Sequence, residues 1–144
     1  RSMVDAIPAI VSDKAVALFE KFGVFTRAEL ESRAEISYEN YAKAINIEAR
    51  TMIDMTRKQF LPAIIKYTKT LADTVNAVKE AGADAGVQSE TLSEITVFLK
   101  EARAALMELE KVTAEVSELP DGEEKARKYY EVVHPAMDAL KAGR

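Results

Sequence analysis

The chain has 144 residues, 48% hydrophobic and 31% charged, with a net charge of -4 and a pI near 5.2. That balance describes one folded domain with a real core, and its acidic sign offers no footprint for a nucleic-acid backbone or an anionic membrane. The chain has no cysteine, which removes disulfides, thiolate nucleophiles and Cys-ligated zinc, and it has no bilayer-spanning run or signal core, so a cytoplasmic location is expected. The opening Arg1-Ser2-Met3 reads as a cloning remnant or an internal cut, which would make the chain a fragment.

A first short helix is expected in SDKAVALFEKFG. Ser12 is a suitable N-cap, Ala15, Leu18, Phe19 and Phe22 form an apolar face, and Gly23 supplies a left-handed stop. The next helix begins at TRAE, where Thr26 and Glu29 have the spacing of a capping box. From there Tyr38, Tyr41, Ile45, Glu48, Met52 and Met55 alternate threes and fours, the rhythm of a seam facing another helix, with Glu48 interrupting it. Beyond Pro62 the rhythm resumes in Leu61, Ile64, Thr68, Leu71, Val75 and Val78, so the proline is read as kinking a continuing helix. If continuous from Arg27 to Lys79, the rod would be roughly 80 Å long. Gly82 and Gly86 mark a loop.

A long helix follows from SETL to Glu118, with Leu92, Ile95, Leu99, Ala102, Leu106, Leu109, Val112 and Val116 in near-heptad spacing. LPDGEE makes a turn. The last helix is expected to pack Ala126, Tyr130, Val133, Met137 and Leu140 inward. No strand signal competes, so the expected fold is all-α: an elongated antiparallel helical bundle with two long helices, one kinked near Pro62, and shorter helices at the start and end.

Chemistry-bearing motifs are few. Glu131 and His134 in EVVH form a Glu-x-x-His pair, as in di-iron bundles, but that site needs a second such motif and two further glutamates. His134 is the only histidine, so half a site remains. No nucleophile elbow and no glycine-rich phosphate loop is present. Tyr129, Tyr130, Tyr38 and Tyr41 stand at helical spacing and read as core or interface. KEARAA, ELEKV and GEEKARK are mixed-charge helical faces.

NIEARTMIDM, residues 46–55, carries the most polar detail. Asn46, Arg50 and Asp54, with Lys58 continuing, recur at i,i+4 and form a ladder along one outward stripe. Glu48 lies about 200° round the helix from that stripe and points toward the apolar seam. Either a donor from another helix, subunit or missing domain meets it, since a buried unpaired carboxylate is costly, or it sits at the seam's edge and reaches water.

The phrases GVFTRAELESR and INIEARTMIDM, followed by LPAIIKYTKTLADTV and later by YYEVVHPAMDAL, resemble the C-terminal helical region of type III glutamine synthetases. The resemblance covers nearly the whole chain, except that the helix from Ser89 to Glu118 has only generic heptad content. One departure is Ala34, where the family pattern tends to have an aromatic. The resemblance implies that residues 1–144 are a single helical domain at the C-terminus of a larger enzyme. That parent would join ammonia to glutamate with ATP and Mg or Mn, and would assemble as double-ring oligomers. The family's metal, nucleotide and ammonia residues lie upstream, so no catalytic or cofactor-binding residue is carried onto this chain. The implied partners are the catalytic body of the same polypeptide and neighbouring subunits of a homo-oligomer, with Asn46, Glu48, Arg50 and Asp54 as the interface candidates. The alternative is a freestanding bundle that binds a metal through Glu131 and His134 or acts as an adaptor.

Overall fold

The computed structural model describes residues 3–142, so Arg1 and Ser2, on which the reading of an interrupted start rests, lie outside it. Among the described residues the chain is all-α, with helices α1 (Met3–Ile10), α2 (Asp13–Lys21), α3 (Arg27–Met55), α4 (Leu61–Glu80), α5 (Gly86–Ser117), α6 (Glu123–Lys128) and α7 (His134–Ala142). Two five-residue π-helical turns, Thr56–Phe60 and Tyr129–Val133, join α3 to α4 and α6 to α7. Among the described residues no helix is long and apolar enough to cross a membrane.

Local chemistry sets these boundaries. Ser12 caps α2 by accepting from the Ala15 N–H at 3.3 Å, and Thr26 accepts from the Glu29 N–H at 3.2 Å to start α3. Gly23 and Gly82, with φ of 64° and 83°, take the left-handed conformation that a β-carbon disfavours. In each case the glycine and the following residue return their N–H groups to the preceding turn: Gly23 to Glu20, Val24 to Phe19, Gly82 to Lys79 and Ala83 to Val78. This is the Schellman closure of a helix end. Gly86 belongs to α5 and not to the loop. Its N–H is accepted by the Asp84 carboxylate at 2.9 Å, so the helix begins three residues ahead of the expected Ser89. α1 was not among the expected helices, and Pro8 lies inside its MVDAIPAI. It forms nonetheless and buries Val4 and Ile7.

Both π turns stand just ahead of a proline. Pro62 has no N–H to offer the carbonyl four residues back, and its ring crowds that carbonyl. The helix accommodates it by letting the Leu61 N–H reach Thr56 O, one residue further than an α-helical bond. His134, directly before Pro135, does the same toward Tyr129 O. The expected kink at Pro62 is thus a continuing helix with one widened turn.

The chain divides into two compact units. The first comprises residues up to Arg50 together with Lys111–Pro135. Val4, Ile7, Ala34, Tyr38 and Ala126 make a buried cluster there, with Val11, Tyr41 and Tyr130 against it. Ala42, Ile45, Ala49, Val112, Val116, Tyr129 and Val133 are also buried. The second unit comprises Thr51–Glu110 and residues from Ala136 onward. It buries Met52, Ile64, Val75, Ala102, Leu106, Leu109, Met137 and Leu140. In that unit Phe60 and Phe98 meet edge to face at 6.2 Å, and Arg57 is ion-paired to Glu110.

Two expectations are corrected. The inward face of α3 runs through Leu30, Ala34, Tyr38, Ala42, Ile45, Ala49 and Met52, while Glu48 and Met55 are exposed. Glu48 therefore lies at the seam's edge and reaches water, the second of the two alternatives its position left open. In the last segment Tyr129, not Tyr130, is the fully buried tyrosine. Ala126, Tyr129, Val133, Met137 and Leu140 recur at threes and fours, a rhythm that Tyr129 fits as well as Tyr130 does.

Candidate functional site

The polar residues of NIEARTMIDM divide between the two units. Asn46 and Arg50 belong to the first, Asp54 to the second. Asp54 pairs with Lys58 at 2.7 Å, and Asn46 accepts from Arg50 Nε at 3.2 Å, so the i,i+4 ladder forms at both of those steps. Asn46 is not simply outward, however. It is half-buried, and its Oδ1 also accepts the phenolic hydroxyl of Tyr129 at 3.2 Å. Asn46 thus fastens α3 to the π turn 129–133.

Around that bond lies a cleft of about 190 Å³, lined by Glu39, Lys43, Asn46, Asp121, Lys125 and Tyr129 among others. Its charges meet in pairs: Lys43 with Glu39 at 2.7 Å and Lys125 with Asp121 at 3.2 Å. The Lys125 side chain is only 16% exposed, so its ammonium depends on that carboxylate more than a surface lysine would. Burial raises the Tyr129 phenol above its ordinary pKa, with Lys125 and Arg50 pulling the other way. Burial likewise raises Tyr38 and Tyr41, and Glu48 adds to the shift at Tyr41. At neutral pH these are protonated phenols, and at Tyr129 the hydroxyl donates to Asn46. The arrangement ties helices together and leaves none of the cleft's four charges without its opposite.

The pairs Glu39–Lys43 and Asp121–Lys125 could have been found from their i,i+4 spacing, but Tyr129 could not. Tyr129 and Tyr130, three and four residues after Ala126, both fit the inward rhythm.

Glu131 and His134 each lie beside another side chain of the same segment. Glu131 faces Arg127 at 3.9 Å, and the His134 ring lies tilted against Tyr130 with centroids 6.5 Å apart. Arg127 also meets Glu123 at 3.3 Å and Asp5 at 3.8 Å. Among the described residues no group of three or more His, Asp or Glu side chains is placed to hold a metal ion.

A family model described as the glutamine synthetase C-terminal domain matches residues 1–79. The chain is 31% identical over 143 residues to a glutamine synthetase of Butyrivibrio fibrisolvens, covering 98% of this chain and 20% of that protein. It is 38% identical over 77 residues to a type-3 glutamine synthetase of Dictyostelium discoideum, covering 54% of this chain and 10% of that protein. A glutamine synthetase of Bacteroides fragilis (strain YCH46) is 22% identical over 134 residues, which are 89% of this chain and 18% of that protein. The chain therefore spans a fifth or less of the length of these relatives.

Proposed function

Since the chain belongs to the glutamine synthetase C-terminal domain family, we propose that it is a structural and assembly module of a glutamine synthetase and carries no part of the active site. Ligation of ammonia to glutamate, with its ATP and its Mg or Mn, is assigned to the remainder of such a polypeptide. The module's partners are that catalytic body and neighbouring subunits of a homo-oligomer in the cytoplasm, not a nucleic acid or a membrane. The observation that carries the reading is the pairing of polar groups in the Asn46–Tyr129 cleft, which are spent on one another. What such a unit offers outward is surface. Glutamine formation from glutamate, ammonia and ATP is expected to be absent with the isolated 144-residue chain, and turnover above a protein-free blank in that assay would overturn the reading.

Glu48 supplies a second check, because it is exposed and no partner for it is needed inside the bundle. Glu48→Ala is expected to leave the stability of the isolated chain within about 0.5 kcal/mol, the usual effect at a surface site. In the intact polypeptide it is expected to weaken assembly, read as the shift from oligomer to smaller species in sedimentation velocity. Equal effects on stability in both settings would assign Glu48 a purely internal role.

A further inference from the structure

The first unit exposes large apolar side chains at one corner. Leu18, Phe22, Val24 and Ile36 are 54%, 68%, 53% and 53% exposed. Leu18 and Phe22 are i,i+4 neighbours on one face running off the end of α2, and Val24 follows in its closing turn. Two open hollows adjoin there. One, of about 260 Å³, is lined by Gly23, Val24, Phe25, Thr26 and Glu29 with Glu20. The other, of about 730 Å³, lies along α3 and shares Glu29. Its lining falls into two successive i±4 rows, Ala28–Ser32–Ile36 and Glu29–Arg33–Ser37, which are the ridges between which a second helix lays its side chains. Arg33 is held over the Phe25 ring at 4.4 Å and Lys21 over Phe22 at 6.0 Å. These contacts keep both cations against the apolar surface. Arg27 is paired to Asp13 at 2.9 Å and approaches Glu31 at 3.9 Å. The corner has acidic and basic groups of both signs and no field that would select a charged partner.

A cluster of this kind on a folded unit marks an interaction surface. We infer that the α2–α3 corner, centred on Phe22, Val24 and Ile36, is the seat of an apolar helical surface of the catalytic portion that precedes this domain in the same polypeptide. The inference rests on the assembly role proposed above and names its surface. Four-fifths or more of each relative lies outside the match, and the matched family is the C-terminal domain of the synthetases, so in such proteins the bulk of the chain comes before this domain. The corner lies wholly within residues 1–79 of the family match.

These 144 residues contain no cysteine, so an introduced one is unique in the isolated chain, and in the intact polypeptide its labelling is read at that position by peptide mass spectrometry. Phe22→Cys, Ile36→Cys and, as a reference in the other unit, Val87→Cys would each be labelled with a maleimide in the isolated chain and in the intact polypeptide. Cysteines at 22 and 36 are expected to react at surface rates in the isolated chain and at least about tenfold more slowly in the intact protein, the protection that local burial confers. Equal rates at both positions in the two settings would overturn the inference. Slow labelling in the isolated chain that speeds up on dilution would also overturn it, by showing that a second copy covers the corner. Protection at 87 with none at 22 and 36 would refute this surface while leaving the assembly role standing. Protection at no position would remove the assembly role as well.

Discussion

Replacing Tyr129 by alanine is expected to cost the isolated chain about 3–5 kcal/mol, the range for removing a large aromatic from a packed interior. Its side chain is 2% exposed and is the largest among the fully buried ones, and it meets α3 through Asn46. Tyr129→Phe keeps the ring and deletes only the hydroxyl. Because Asn46 Oδ1 retains the Arg50 donor, that change is expected to cost only about 0.5–1.5 kcal/mol, the net worth of an ordinary hydrogen bond. Urea unfolding followed by far-ultraviolet circular dichroism measures both, and a Tyr129→Ala cost near that of Tyr129→Phe would mean the ring is not in the core. The pH dependence follows from the raised phenol. Between the unfolded value of about 10 and the higher folded value, the native state holds a proton that the unfolded state has lost. The stabilisation is therefore complete below about pH 10 and is lost as pH rises through the folded pKa. Tyr129→Phe is expected to make that alkaline decline shallower without abolishing it, since Tyr38 and Tyr41 are shifted in the same direction.

The second large effect has the opposite sign. Thr56 and Thr113 are 0% and 2% exposed, and neither hydroxyl has a hydrogen-bond partner. Other helical threonines show what is missing: Thr70, Thr74, Thr91 and Thr96 each return the hydroxyl to the carbonyl four residues back. A buried unsatisfied hydroxyl costs about 1–3 kcal/mol. Valine has nearly the same shape and helix propensity. Thr56→Val and Thr113→Val are accordingly each expected to raise stability by about 1–3 kcal/mol, seen as a higher urea midpoint with unchanged slope. A fall in midpoint would show that the hydroxyl makes a bond that stabilises the fold.

Much of the fold was legible because helix ends are written locally. Ser12, Thr26, Gly23 and Gly82 each act on backbone groups within a few residues, and short-range chemistry survives without knowledge of the tertiary partner. The facing pattern was less legible. In α3 two phases of threes and fours are available, and bulky Tyr41 and Met55 favour the wrong one on sequence alone. The observed contact uses Ala34, Ala42 and Ala49, small residues that carry little hydrophobic weight yet let another helix approach closely. That choice moved Glu48 from an apparent seam position to the surface. The candidate site was legible in part. The Asn46–Arg50 and Asp54–Lys58 steps follow from spacing, whereas the bond from Tyr129 to Asn46 spans 83 positions and crosses a turn with non-α geometry.

Those two turns also bear on how such chains should be compared. A five-residue π turn closes through a bond that reaches one residue further back than an α-helical one, and in both turns the donor is the residue directly before a proline. A relative without a proline at the position of Pro62 or Pro135 has no missing N–H to accommodate, and a regular α-helical turn is expected there. Across the second turn the buried residues Ala126, Tyr129, Val133, Met137 and Leu140 still recur at threes and fours, so the inward face runs through it unbroken.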